Sequence, residues 1–167
     1  MLLLFRRSLD MRLYLVRHGQ AKDEKEDPNR PLTDKGVQDV RKVAQFIKPL
    51  NIHVQRILHS GKLRAAQTAE IIAETVQSDE GVVQYGGLNP NDPIEPILQD
   101  IERMSAELML VGHLPFLNKL LAKLVIDDES VEIVAFQSAA MVCLEKSPEG
   151  AWKIAWMITP ELLLSSS

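Results

Sequence analysis

Short apolar runs alternate along this chain with segments whose apolar residues recur at helical spacing, and this alternation constrains the fold more than any other feature. Four apolar runs predict strands, at residues 12–16, 54–58, 82–85 and 108–111. A predicted helix follows each of them, at residues 33–47, 60–76, 94–104 and 115–124. Strands separated by helices favour a mainly parallel sheet that is covered by helices on both faces.

We therefore expect a single α/β domain, a three-layer α/β/α sandwich with a mainly parallel central sheet and no sizeable cap domain. A chain of 167 residues with 46% hydrophobic content can bury about two thirds of its unfolded surface. Apolar runs at 140–145 and 152–158 flank a turn and predict a terminal hairpin. We assign the domain to residues 11–160, residues 1–10 to an N-terminal extension that a start at Met11 would remove, and residues 161–167 to a C-terminal tail.

Charge and cysteine content argue against several classes of protein. The chain has 19 basic and 23 acidic residues and a net charge of −4, which disfavours nucleic-acid binding by phosphate neutralisation. No apolar run approaches the roughly 20 residues that span a bilayer, so we expect no membrane partner. Cys143 is the single cysteine, and we interpret it as a core residue in a reducing, cytoplasmic setting. The sequence leaves the oligomeric state open.

Basic and imidazole side chains follow three of the predicted strands. Arg17 and His18 follow the first strand, His59 follows the second with Arg64 one turn into the next helix, and His113 follows the strand at 108–111. In open α/β sheets, ligands bind beyond the carboxyl ends of the strands. These side chains are therefore predicted to converge on one site.

The residue types at this edge indicate a phosphoryl ligand. Arg17 and Arg64 can donate paired hydrogen bonds to phosphate oxygens, and a helix N-terminus adds partial positive charge. Because like charge disfavours its protonated form, His18 is expected to be neutral and nucleophilic. It would then attack phosphorus and form a phosphohistidine that water hydrolyses. His113 is expected to contact the equatorial oxygens of the transferring group.

The residues alone leave other interpretations open. A helical arginine is usually a surface residue, and a Gly-His pair after a strand is more often a turn than a catalyst. A metal-dependent hydrolase built on His18, His59 and His113 is one rival, although its carboxylate partners are not evident. A non-catalytic phosphate-binding module is another, although pure binding does not require a nucleophile.

Four segments in chain order, LVRHGQA, RPLTDKG, SGKLRAAQTAE and VGHLP, resemble the histidine phosphatase superfamily. The small size and the RPLT…G element are most similar to its SixA-type phosphohistidine phosphatase branch, over residues 11–160. The resemblance implies a phosphate pocket of Arg17, His18, Arg64 and His113. It also implies that His18 is the phosphorylated nucleophile and that Arg30 faces the phosphate.

The chain departs from the family pattern beside this pocket. Gly61 stands where members usually have proline, and His59 replaces a common apolar residue. Larger members carry inserted segments and a glutamate acid, whereas the short loop 86–93 offers only Asp92. The candidate proton donors are therefore Asp92, His113 and the leaving group itself.

The expected function is removal of phosphate from a histidine of a protein substrate, through a covalent intermediate on His18, with no metal and no other cofactor. An open site suits a macromolecule that brings its phosphohistidine to the pocket. The expected partner is a phosphorelay or phosphocarrier protein. A phosphatase of small phosphate esters on the same site, or a non-catalytic phosphoprotein-binding module, is the alternative.

Overall fold

The first strand, β1 (Met11–Arg17), lies inside the sheet and defines its two faces. Leu13 and Leu15 belong to the apolar cluster on one face, and Tyr14 and Val16 belong to the cluster on the other. All four are at most 2% exposed, as expected for a strand covered on both sides. The computed structural model describes residues 11–164, so the predicted N-terminal extension lies outside the described residues.

Six strands form the main sheet, in the order β5-β3-β6-β1-β7-β8. The strands after β1 are β2 (His53–Val54), β3 (Arg56–His59), β4 (Gln77–Ser78), β5 (Val82–Gln84), β6 (Leu108–Gly112), β7 (Met141–Lys146) and β8 (Trp152–Ile158). β5, β3, β6 and β1 pair in parallel, whereas β7 is antiparallel to both β1 and β8. The mainly parallel sheet and the terminal hairpin are both confirmed.

Four helices cover the sheet: α1 (Asp34–Ile47), α2 (Leu63–Ala73), α3 (Glu95–Arg103) and α4 (Phe116–Ile126). α1 and α2 bury their apolar sides on the Tyr14 face, and α3 and α4 bury theirs on the Leu15 face. Thr33 caps α1 as predicted, because its hydroxyl accepts a hydrogen bond from the Gly36 N–H at 2.9 Å. The three-layer architecture is confirmed, and no further domain is inserted between these elements within residues 11–164.

Two local predictions were wrong. The single strand predicted at 54–58 is split, because β2 pairs with β4 in a separate two-stranded sheet and β3 alone joins the main one. The helix predicted from Ser60 begins at Leu63 instead, with Lys62 at its N-cap. Ser60 does not cap it, because its hydroxyl is engaged by His113. This difference places Ser60 in the candidate site.

The end of the described chain packs on the domain. Pro160–Leu162 forms a 3-10 turn against α1, and Leu163 lies against the core cluster on the Tyr14 face. The predicted domain boundary at 160 and the tail beyond it stay predictions. Within residues 11–164, no helix has both the length and the apolar character needed to cross a bilayer.

Candidate functional site

The segment after β1 is held by main-chain contacts on several sides. The His18 N–H donates to the Gly112 carbonyl at 3.0 Å, and the Gly19 N–H donates to the Thr68 hydroxyl at 3.1 Å. A Cβ on Gly19 would lie 2.9 Å from the Gly36 carbonyl oxygen, so only glycine fits this close approach to α1. The carboxyl end of β1 is thereby joined to β6, α1 and α2, and the position of His18 is well determined.

His18 has a defined tautomer. Its Nδ1 lies 2.7 Å from the Gly19 carbonyl oxygen, and a carbonyl can only accept, so Nδ1 carries the proton. The lone pair is therefore on Nε2, which accepts a hydrogen bond from Arg64 Nε at 3.4 Å. The His113 ring lies close by, with the two ring centroids 4.9 Å apart. The structure thus brings His18, Arg64 and His113 together as predicted.

Both pocket histidines are held neutral. Burial lowers the pKa of His18 to about 4, with Arg64, Arg17 and Arg30 adding repulsion against the charged form. Burial likewise lowers the pKa of His113 to about 3, with His18 as the next cause. The sequence-based expectation of a neutral His18 invoked only the like charge of the arginines, whereas removal from water is the larger cause.

The arginines occupy distinct environments around the two histidines. Arg17 Nη1 donates to the Phe136 carbonyl at 2.7 Å, while its Nε is buried and has no partner among the described residues. Arg30 has a positive φ of 48° and donates from Nε to the Lys22 carbonyl at 3.0 Å. Burial lowers the pKa of both Arg17 and Arg64, and Arg30 contributes repulsion at Arg64. The Nε of Arg17 is thus a buried donor that no described residue satisfies.

An open pocket of about 670 Å³ adjoins His18 through Arg64, while neither His18 nor His113 is among its lining residues. Arg30 and Arg64 line it together with Glu24 and with the segment 61–63. Its cationic lining and its openness to solvent suit an anionic group carried on a larger molecule.

His113 comes directly after β6 and is only 1% exposed. Its Nε2 lies 2.6 Å from the Ser60 hydroxyl oxygen, and its Nδ1 is buried with no partner among residues 11–164. The Ser60 oxygen also accepts a hydrogen bond from the Lys62 N–H at 3.3 Å. Sequence reasoning named Ser60 only as a cap and missed this contact with His113.

Other predicted residues lie outside this set of contacts. Asp92 accepts a hydrogen bond from the Asn89 N–H at 2.8 Å within a local turn, and its role as proton donor stays a prediction. His59 Nδ1 accepts from the Gly61 N–H at 3.1 Å, and burial lowers the pKa of His59. Gly61 has a φ of +91°, which proline cannot adopt, so this departure from the family pattern has a backbone cause.

Two residues that support the site had no assigned role in the sequence analysis. The Thr68 hydroxyl donates to the Arg64 carbonyl at 2.8 Å and accepts from the Gly19 N–H, so it ties α2 to the segment after β1. Gly36 lies so close to this segment that an added Cβ would be 2.1 Å from the Gln20 carbonyl oxygen. Both residues lie in the quoted motifs, and a threonine one helical turn after Arg64 was the available signal.

A metal cluster was one rival interpretation. Among residues 11–164, no group of three or more histidine, cysteine or acidic side chains is arranged to hold a metal ion. His53, the remaining histidine, lies apart on β2, where its Nε2 is 2.6 Å from an Asp79 carboxylate oxygen.

Known proteins similar to this chain include relatives in sequence and a solved structure with a similar fold. An uncharacterised protein of Picosynechococcus sp. is 41% identical over 116 residues, which cover 65% of this chain and 70% of that protein. The phosphohistidine phosphatase SixA of Escherichia coli is 26% identical over 155 residues, which cover 90% and 94% of the two chains. The solved structure of a protein histidine phosphatase SixA complexed with tungstate has a TM-score of 0.79 and 24% identity, over 91% of this chain and 99% of that chain.

The model of the histidine phosphatase superfamily (branch 1) matches residues 13–88, the part of the chain that holds β1, Arg30 and α2. The match includes the nucleophile candidate His18 and the three arginines around it, whereas His113 lies beyond the match, directly after β6. This match agrees with the similarity to SixA, which extends over about nine tenths of the chain in both sequence and fold. The chain belongs to the histidine phosphatase superfamily.

Proposed function

We propose that this chain is a metal-independent phosphohistidine phosphatase that acts on a protein substrate. One observation carries the proposal: His18 is a neutral imidazole whose Nδ1 is hydrogen-bonded to the Gly19 carbonyl and whose Nε2 lone pair lies among cationic groups. A neutral, oriented nitrogen is a competent nucleophile, and the surrounding arginines bind the anion that it attacks.

In the first step, His18 Nε2 forms a bond to phosphorus while the bond from phosphorus to the substrate nitrogen breaks. The leaving imidazole gains a proton from solvent or from Asp92, and Arg17, Arg64 and Arg30 hold the charge of the transferring group. Arg64 already donates to the Nε2 lone pair and must release it to the phosphoryl oxygens. Water then attacks phosphorus while the bond from phosphorus to His18 Nε2 breaks and its electron pair returns to Nε2. The water proton leaves with the phosphate or passes to solvent.

The substrate class follows from leaving-group chemistry. An alkoxide from phosphoserine needs a strong acid close to the site, and the loop 86–93 holds no glutamate for that task. Imidazole has a pKa of about 6.5 and leaves as a neutral base with little help. The open pocket admits a phosphohistidine presented by a phosphorelay or phosphocarrier protein, and we place the reaction in the cytoplasm.

The test of this function is a comparison of turnover by wild type, His18→Ala and His53→Ala. We expect His18→Ala to abolish turnover, and His53→Ala to retain it, because His53 is exposed on β2 and paired with Asp79. Rapid quenching of the wild type should trap an acid-labile, alkali-stable phosphoryl label that His18→Ala lacks. Normal turnover by His18→Ala would remove the nucleophile assignment.

Two further measurements distinguish the proposed function from the alternative functions. The kcat/KM for phosphohistidine peptides should exceed that for phosphoserine peptides, and the gap should narrow for esters with an acidic leaving group such as a nitrophenol. Equal efficiency on both peptides would favour the small-ester phosphatase. Activity should survive EDTA and dialysis, whereas strict loss that zinc restores would favour the metal hydrolase. Phosphate binding without turnover of any substrate would favour the binding module.

A further inference from the structure

The contact between Ser60 and His113 joins two buried polar side chains beside His18. Ser60 is 8% exposed and His113 is 1% exposed, and 2.6 Å separates the Ser60 hydroxyl oxygen from His113 Nε2. A neutral imidazole carries one proton on either nitrogen, and the direction of this hydrogen bond decides which nitrogen carries it.

The partners of Ser60 favour one direction for this hydrogen bond. Its hydroxyl oxygen accepts a hydrogen bond from the Lys62 N–H at 3.3 Å, and a backbone N–H cannot accept a proton in return. Within residues 11–164, the single acceptor in contact with the Ser60 hydroxyl is His113 Nε2. Among those residues the hydroxyl proton has one destination, and this favours donation from Ser60 to Nε2.

The other ring nitrogen then carries the proton of His113. Nδ1 is buried and has no hydrogen-bond partner among the described residues. A buried N–H without an acceptor is unfavourable unless a ligand supplies one. The His18 ring, whose Nε2 would carry the phosphoryl group, lies with its centroid 4.9 Å from that of His113. A phosphoryl oxygen on His18 that reaches Nδ1 would be an acceptor of the required kind.

We infer that Ser60 is a positioning residue that holds His113 in its Nδ1–H tautomer, so that His113 donates a neutral hydrogen bond to the transferring phosphoryl group. This inference rests on the proposed phosphoryl chemistry at His18. The opposite tautomer would present a bare lone pair on Nδ1 to the phosphoryl oxygens and repel them. The low pKa of His113, about 3, agrees with a ring that works as a neutral donor.

The decisive measurement is the ¹⁵N NMR spectrum of the histidine ring nitrogens in the full chain, with His113 assigned by a His113→Asn variant. In the wild type at pH 7 we expect a protonated Nδ1 and an unprotonated, hydrogen-bonded Nε2. Addition of inorganic phosphate should shift the Nδ1 signal. A wild-type spectrum with the proton on Nε2 would overturn the inference whatever the enzyme's substrate, so its failure is distinguishable from failure of the proposed function.

Variants at Ser60 extend the test to catalysis. Ser60→Ala should populate the Nε2–H tautomer and lower kcat roughly tenfold, less than the ~10²-fold loss on removing a donor outright. Ser60→Thr keeps the hydroxyl and should restore both the tautomer and most of kcat. Ser147→Ala, in the turn between β7 and β8, is the matched control and should match the wild type. An unchanged His113 spectrum in a folded Ser60→Ala protein would contradict the inference.

Discussion

The parallel strands and the terminal hairpin of the same sheet use their side chains differently. β1 and β6 lead directly into His18 and His113, which meet at one edge, and β3 leads into Ser60 beside His113. β7 and β8, in contrast, bury mainly apolar residues. The hairpin nevertheless contributes to the site through its backbone. The Ala140 carbonyl accepts from the Arg17 N–H at 3.1 Å, and the Ala139 N–H donates to the Arg17 carbonyl at 3.1 Å.

The two regions of the sheet therefore have different roles. The parallel strands position the candidate catalytic side chains. The segment 136–140 supports them through backbone carbonyls and N–H groups, which every residue type except proline supplies. Substitutions in the hairpin should therefore change the stability of the fold, and substitutions at the strand ends should change the chemistry. Three experiments challenge that division, in order of the free energy involved.

The largest effect is expected for Leu144→Ala on β7. Leu144 is 0% exposed within the cluster on the Leu15 face, so its truncation should lower the free energy of unfolding by about 2–5 kcal/mol. Ile154, its partner on β8, is 37% exposed, and Ile154→Ala should cost about 0.5 kcal/mol or less. Urea unfolding measures both. A large loss of kcat in a folded Leu144→Ala protein would contradict the assignment of the hairpin to stability rather than to chemistry.

Next in size are the arginines at the site. Arg17→Ala and Arg64→Ala should each lower kcat/KM by at least ~10²-fold, equivalent to about 2.7 kcal/mol of barrier. Lysine at either position should rescue poorly, because it lacks the planar fork of donors. The control is Arg12→Ala: Arg12 lies at the opposite end of β1 and forms an ion pair with Glu145 at 2.6 Å. The Arg12→Ala protein should retain activity. Full activity of both lysine variants would contradict the expectation that each arginine donates a pair of hydrogen bonds to the phosphoryl group.

The smallest effect is the part of the pH dependence of stability that comes from His18. The pKa of His18 is about 4 in the fold and about 6.5 in the unfolded chain, so between these values the unfolded chain binds the extra proton. The free energy of unfolding should therefore fall as the pH drops from about 6.5 to 4. His18→Gln should reduce this slope. Leu144→Ala should keep the wild-type slope, because residues 141–158 contain no histidine.

Urea midpoints at pH 7 and pH 5 distinguish these outcomes. An identical slope in wild type and His18→Gln would mean that His18 is not held neutral by the fold, and the proposed nucleophile would lose its main support.

Much of the fold, and the convergence of the candidate site residues, could be predicted from local pattern. The uninterrupted apolar run before Arg17 predicts a strand buried on both faces, and alternation with helices predicts the parallel sheet. Because parallel strands align their carboxyl ends, the positions of His18 and His113 on one edge follow from chain order alone. Thr33 was also predictable, since a cap depends on a few neighbouring residues.

Only the tertiary structure decided how those groups are tuned. The neutrality of His18 depends mainly on burial, which is set by helices packed from distant parts of the chain. Ser60 was predicted as a cap because local sequence favours one, but a partner 53 residues away in sequence takes its hydroxyl. The contact between Arg17 and the Phe136 carbonyl is invisible in sequence, because every residue carries a carbonyl and only the path of the chain selects which one is used.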